Sequence, residues 1–555
     1  MSRWVILIAF LLACIGTARG QGPQISAEVL RQDIAALASD AFEGREPTTE
    51  GERRTLAYLI AQFSQAGLQP GYHGEWLQPT PLVAATVVND PSLKISGPDG
   101  EQALLYRKDQ VIWTKRSAPR VVASDRELVF VGYGVTAPQL GWDDYAGQAM
   151  RGKIALILIN DPDFETGAGP FGGAAMTYYG RWTYKFEEAA RQGAVGALII
   201  HETAPASYPW AVVESSWTGP QYAARRGEDA PAPVGLEGWI AEPAARGLFR
   251  RAGLDFDALK AEARRPGFKP RAMGLRLSAD MASEITDTLS YNVIAVLPGT
   301  KRPQEAVLYS AHWDHLGRCP AVEGDDICNG AQDNASGTAG LLALARAHAA
   351  AGPAERSLAF IAFTAEEQGL LGSAHYAADP AFALRDTAAL LNMDGLSTLG
   401  RARDVTLVGG GQSAMDALLE AAAAAQGRSV SPDANPERGS FYRSDQFSLA
   451  KVGVPSLYIR PGLDLRLGGK ARGAALEGEY VAKRYHKPAD QVLPGWDLSG
   501  AVEDLQLLYA VGRGLSETAQ WPAWLPQAEF RSAREAVRPT APRASIVNEI
   551  PAGFH

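Results

Sequence analysis

Cysteine is scarce in this chain: 555 residues hold three. Two of them, Cys319 and Cys328, lie nine positions apart, and a cysteine-built zinc site needs more soft ligands than these two can give. Apolar runs are short, and none reaches the roughly 18 uninterrupted residues of a membrane-spanning helix. Lys/Arg-rich runs are missing, and the formal net charge is −9. Nucleic acid and anionic membrane surfaces are therefore poor partners. There is no internal repeat. What remains is globular in composition, with 46% hydrophobic and 21% charged residues. The length exceeds one ordinary core, so two or three domains are expected.

The first residues differ from the rest. Arg3 supplies a positive n-region, Trp4 to Leu12 a short apolar stretch, and Ala18-Arg19-Gly20 the small residues a signal peptidase reads. Residues 1–20 are expected to be a signal peptide, cleaved after Gly20, of a secreted or periplasmic protein. The second-ranked reading takes Leu11-Leu12-Ala13-Cys14 as a lipoprotein box with Cys14 lipidated, behind a very short apolar stretch. With Cys14 gone, Cys319 and Cys328 remain, joined by a polar, loop-like stretch. In an exported protein they are expected to form a disulfide.

Residues 27–67 carry apolar side chains at helical spacing, with Ser26 placed to cap the first helix and Thr48 or Thr49 the second. From about Leu82 the texture turns to short β-rich runs, such as "ELVFVGYGV", "KIALILI" and "VGALIIHE". A second α/β block opens at "LSYNVIAVLPG". Its strand candidates are 306–310, 358–363, 389–392, 405–408 and 455–459, with helices at 338–350 and 415–425 between them. That alternation predicts an α/β fold with a largely parallel sheet flanked by helices. The simplest architecture is a catalytic domain of residues 21–87 plus 284–520, a β-rich insert at 88–283, and a Pro- and Ala-rich tail at 521–555.

Five motifs in the second block carry chemistry. "AHWDHLG" places His312 at a strand end with Asp314 two residues on, where a carboxylate can hold the second ring N–H of a metal-bound His. His315, beside it, reads as an ordinary surface or core residue. "QDNASG" puts Asp333 on a small-residue turn opening a helix, where a carboxylate can bridge two cations or merely cap. "FTAEEQG" ends a buried strand in Glu366-Glu367. Two adjacent carboxylates there are costly unless something positive sits between them. One can ligate while the other takes a proton from water. "NMDG" ends an apolar strand in Asp394. "YHKPAD" sets His486 in a loop. Each motif alone has a bland reading. Together, two His and three carboxylates are what two divalent ions need when one carboxylate is shared.

The order His-x-Asp, Asp-Asn-x-x-Gly, Glu-Glu, Asp-Gly, His resembles the co-catalytic di-zinc aminopeptidase family, which includes bacterial leucyl aminopeptidases and glutamate carboxypeptidase. The insert, through "VFVGYGVTAP", "GWDDYAG" and "RGKIALILINDP", resembles a protease-associated domain. The resemblance implies two Zn2+ per chain, held by His312, Asp333, Glu367, Asp394 and His486, with Asp333 bridging. It implies Glu366 as general base and acid, Asp314 orienting His312, Tyr485 helping an oxyanion, and a cis Asp333–Asn334 peptide. Tyr442 is a second oxyanion candidate. Gln446 stands where relatives often carry His. The implied activity is hydrolysis of peptide substrates from the amino terminus. Rivals are a carboxypeptidase or dipeptidase using Arg443 or Arg460, a non-catalytic binding protein, and a one-zinc glutamine cyclase.

Overall fold

The structure, a computed structural model, describes residues 25–225 and 232–538. The expected signal peptide, Cys14 and the last 17 residues of the expected tail lie outside the described residues.

Two helices open the described residues, α1 (Ala27–Leu37) and α2 (Glu50–Gln65). Ser26 caps α1 by accepting the amide of Val29 at 3.3 Å. The strands that follow are β1 (Leu77–Gly97), β2 (Gln110–Trp113), β3 (Arg120–Phe130), β4 (Ile154–Leu158), β5 (Gly196–His201) and β6 (Leu236–Ala241). Helix α3 (Trp182–Arg191) lies between β4 and β5. The second half holds β7 (Arg271–Leu297), β8 (Arg302–His312), α4 (Gly337–Ala350), β9 (Arg356–Phe363), β10 (Thr387–Asn392) and β11 (Asp404–Val408). It continues with α5 (Met415–Ala425), β12 (Ser429–Pro432), β13 (Ser456–Pro461), α6 (Gly469–Lys483) and α7 (Ser499–Glu517).

One mixed sheet runs β12-β11-β13-β10-β8-β9-β7-β3-β4-β5-β6-β2. Pairing is parallel through β9, β8, β10 and β13, and again through β3, β4, β5 and β6. The long antiparallel partners β1 and β7 run from one half to the other, registering from Val293 opposite Leu77 to Arg276 opposite Ser96. Every residue of β9 and β10 is buried. Helices cover both faces there, so these strands read as unbroken apolar runs rather than alternating ones. Separate apolar clusters lie on the two halves: Tyr309, Phe360 and Leu508 belong to one, Phe130, Leu156 and Phe249 to another.

Residues 521–538 are packed rather than trailing. Trp524 and Phe530 are buried with Tyr178 and Tyr442, and Arg534 donates to the carbonyls of Leu384 and Thr387. Their Pro and Ala content suggested a tail, but three anchoring side chains outweigh it. Cys319 and Cys328 form a disulfide closing the small hairpin of 318–327. Among the described residues no helix is long and apolar enough to cross a membrane.

Candidate metal centre

The sheet reverses its winding at β8. The chain leaves β8 through α4 to β9 on one side, then crosses to β10 on the other. Carboxyl ends of strands at such a switch point form a crevice. His312 is the last residue of β8, Glu366 and Glu367 follow β9, and Asp394 follows β10. Asp333 and His486 come from loops instead, in the turn before α4 and after α6. His486 adopts a φ of 56°, the left-handed region that non-glycine residues seldom enter.

All five candidate ligands meet. His312 Nε2 lies 3.3 Å from Asp394 Oδ1 and 3.5 Å from Asp333 Oδ1. His486 Nε2 lies 3.1 Å from Asp333 Oδ2 and 3.3 Å from Glu367 Oε2. Tetrahedral zinc with bonds near 2.0–2.1 Å separates its ligand atoms by about 3.3 Å. The four distances fit two such sites sharing Asp333, one oxygen facing each histidine. The donor set, imidazole plus carboxylate, also suits zinc.

The supporting shell departs in part from what the sequence suggested. His312 Nδ1 donates to the backbone carbonyl of Asp314 at 3.2 Å, leaving Nε2 free to ligate. The Asp314 carboxylate stands 3.8 Å from that ring and instead accepts the amides of Glu366 and Glu367 at 3.1 and 3.3 Å. It ties the end of β9 to the end of β8. Asp490 does the same for the Asp333 turn, accepting the amides of Gln332 and Asp333 at 3.1 Å each. Asn334 accepts from Gly337 and Gly395 and donates to the carbonyl of Met393, holding the Asp394 loop. A Cβ on Gly337 would stand 2.2 Å from the Asn334 Oδ1, so this junction needs glycine. The Asp333–Asn334 peptide is cis.

Two residues outside the expected set matter. His315 is fully buried, and its Nδ1 donates to Glu367 Oε1 at 2.7 Å. That is hydrogen-bond length, shorter than a zinc ligand edge, so His315 reads as a support for Glu367. Arg45 is fully buried and donates to the carbonyls of Leu37, Trp313, Asn329 and Gly330 at 2.6–2.9 Å. It joins the N-terminal segment to both loops that flank the first ligands. Burial pulls its guanidinium down to about 10, against the pull of Asp490, Asp314 and Asp333.

Burial pushes Glu366 well above the usual carboxylate range, with Asp394 and Glu367 adding repulsion and His312 opposing it. Burial likewise raises Asp314 and Asp445 to about 7. So many acids in one buried crevice call for cations. A cleft of about 1120 Å3 opens onto Asp333, Glu366 and Asp394, with Tyr485 and Tyr458 in its wall. The Tyr485 ring stacks on His486 at 3.9 Å. The Tyr442 hydroxyl donates to Glu529 and is not free for an oxyanion. Gln446 is buried, joining Asn392 to the carbonyl of Phe441.

Known proteins are similar to this chain over parts of its length. The chain is 38% identical over 92 residues to Aminopeptidase YwaD of Bacillus subtilis (strain 168), covering 16% of this chain and 18% of that protein. It is 39% identical over 103 residues to a probable zinc metalloprotease of Pyrenophora teres f. teres, covering 18% and 22%. The match thus spans less than a quarter of either relative's length. Among solved structures, an aminopeptidase from Aneurinibacillus sp. strain AM-1 aligns with a TM-score of 0.45 and 21% identity, over 89% of this chain and 93% of that one. The zinc aminopeptidase BSAP from Bacillus subtilis aligns with a TM-score of 0.41 and 19% identity, over 88% and 95%. Residues 292–510, the stretch that carries every candidate ligand, match the family described as Peptidase family M28.

Proposed function

We propose that this chain is an exported di-zinc peptidase that removes residues from the amino terminus of peptides. The observation that carries it is Asp333 set between His312 and His486, one oxygen toward each, at zinc-like ligand spacings. His312, Asp333 and Asp394 would hold one ion, and Asp333, Glu367 and His486 would hold the other. Bound there, zinc supplies Lewis acidity and makes water more acidic.

The chain's own residues do the rest. Glu366 sits next to the ligand Glu367, with Oε2 4.0 Å from His312 Nε2 and its carboxylate facing the cleft. It takes the proton from the attacking water and returns it to the leaving amine. Tyr485, which also lines the cleft, offers a hydroxyl to the developing oxyanion. The cleft walls exclude bulk water and align the peptide. Export fits the Cys319–Cys328 disulfide, which an oxidising compartment preserves. The segment 88–283 serves as a protease-associated domain that completes the cleft through Arg181, Trp182 and Gln221.

The deciding experiment measures zinc content and peptide hydrolysis on one preparation, with free and acetylated amino termini, before and after chelation. Two ions per chain, with chelator-sensitive cleavage of the free-amine peptides alone, is the expected outcome. Faster cleavage of the acetylated peptides would move the assignment to a carboxypeptidase. One ion per chain would remove the two-metal reading.

A further inference from the structure

The inserted segment hangs from the long ribbon of β1 and β7, which carry the chain into it and out of it. A segment joined in that way swings unless a second contact fixes it. The second contact gathers around Tyr178, a buried residue shortly before α3. Its amide donates to Glu529 Oε2 at 3.0 Å, across 351 positions of chain, and its hydroxyl donates to Glu187 on α3. Its ring packs on Phe447 at 5.0 Å and takes the Lys451 ammonium at 4.9 Å. Lys451 in turn donates to both oxygens of Glu187 at 2.7 Å.

Glu529 belongs to the C-terminal stretch and uses both of its oxygens. One accepts the Tyr178 amide of the inserted segment, the other the Tyr442 hydroxyl of the second half. Burial pushes its carboxyl up, and these two hydrogen bonds oppose that push. The stretch is fastened to the second half on either side of Glu529. Trp524 Nε1 donates to the Gly453 carbonyl at 2.9 Å, and Arg534 donates to the carbonyls of Leu384 and Thr387. A Cβ on Gly453 would stand 2.3 Å from the Arg534 amide nitrogen, so the two backbones touch there. Glu529 is thus held from both sides while it reaches across to Tyr178.

This junction borders the metal cleft. Glu187, Tyr442, Phe447 and Lys451 line the cleft, and Lys451, Tyr178, Glu529 and Phe530 line a second cavity of about 280 Å3. The junction is the partition between the two spaces, and slack in it moves the cleft wall. Resting on the peptidase reading, we propose that the C-terminal stretch is a clasp in which Glu529, acting through Tyr178, is a positioning residue. It holds the inserted segment at a fixed distance from the metal centre, and so sets how tightly a peptide long enough to touch both walls is bound. Fixing that distance before the substrate arrives removes an ordering cost from binding.

The test compares zinc-loaded Glu529→Ala and Glu529→Gln with the unsubstituted protein. Alanine removes the acceptor. Glutamine can accept the Tyr178 amide and donate to the Tyr442 hydroxyl, so it keeps both contacts. Backbone hydrogen exchange is read over residues 176–191. Steady-state cleavage is read on alanine p-nitroanilide, which stays at the metal centre, and on an octapeptide with a free amino terminus, which spans the cleft. In Glu529→Ala, exchange over 176–191 is expected to quicken about 10- to 100-fold. The octapeptide KM should rise about 10-fold with kcat held within about twofold, and both constants for the p-nitroanilide should stay within about twofold. Glu529→Gln is expected to match the unsubstituted protein throughout. Lys451→Met cuts the other leg of the clasp, is expected to move the same readings in the same direction, and stands in if Glu529→Ala does not fold. Unchanged exchange over 176–191, or an unchanged octapeptide KM, overturns the proposal. So does an equal loss on both substrates, which a general loosening of the fold would give. If the unsubstituted protein cuts neither substrate, the peptidase reading falls, and the exchange comparison still decides whether Glu529 holds the segment.

Discussion

His315 donates from Nδ1 to Oε1 of Glu367 at 2.7 Å, across 52 positions of chain. The other carboxylate oxygen, Oε2, faces His486. His315 thus fixes which oxygen Glu367 presents. Outer-shell partners of this kind are worth about 10- to 100-fold in metal affinity. On the proposed two-zinc reading, His315→Gln is expected to weaken the ion that Glu367 would hold by that amount, measured by competition with a chromogenic chelator. His486→Ala should weaken the same ion further. Equal losses in the two variants would make His315 a ligand rather than a support.

Glu366 is set apart from its neighbour by geometry. Both line the cleft, but Glu367 lies 2.7 Å from His315 and 3.3 Å from His486, whereas Glu366 comes no nearer than 4.0 Å to His312. Glu366→Gln keeps the shape and removes the proton carrier. Turnover should fall about 100- to 10,000-fold with zinc content unchanged. Activity within a few fold of the unsubstituted protein would remove Glu366 from the chemistry.

How much of this centre could be read from the chain depends on where each residue's partner lies. His312, Glu367 and Asp394 close apolar strands, so hydrophobic pattern and ligand type pointed to them at once. Asp333 and His486 come from loops and were legible only as members of a five-part set. His315 read as ordinary because its partner follows a different strand, 52 positions on, and no local spacing records that. Arg45 was invisible for the same reason: its four acceptors belong to three separate segments that meet only in the folded chain. The Pro- and Ala-rich C-terminal stretch misled because composition does not reveal that Trp524 and Phe530 find an apolar seat.

Arg45 lends itself to a stability test. Arg45→Met deletes the donors and leaves four buried carbonyls behind, each costing about 1–3 kcal/mol if unsatisfied. Water can reach some of them, so a net loss of roughly 3–5 kcal/mol is expected. Urea unfolding of the metal-free protein measures it without interference from zinc linkage. Arg45→Lys, with three donors on a longer-reaching point charge, should recover only part. A loss under about 1 kcal/mol would mean that the clamp is dispensable.

His348, on α4, offers a pH test remote from the metal centre. Its Nε2 meets the Tyr309 hydroxyl at 2.9 Å, that hydroxyl donates to the Leu508 carbonyl, and the ring stacks on Tyr509 at 4.3 Å. The ring must therefore donate to Tyr309, and the neutral tautomer protonated at Nε2 fits. Burial, helped by the Arg513 charge, holds His348 from its ordinary 6.5 down to about 3. With the folded value depressed, the unfolded chain takes up the proton first as pH falls. The contribution to stability is complete above pH 6.5 and drains away between 6.5 and about 3. The slope is about 1.4 kcal/mol per pH unit, or roughly 3 kcal/mol by about pH 4.5. His348→Phe keeps the stacked ring and removes the titration. It should cost about 1–2 kcal/mol at neutral pH, through the lost Tyr309 contact. Toward acid the variant should close on the unsubstituted protein and then overtake it. Metal-linked and surface groups act equally on both proteins, so the difference between their urea midpoints across pH isolates this one ring. Parallel curves from neutral to acid would mean that His348 accepts its proton in the folded state, and that the site is wetter than its packing implies.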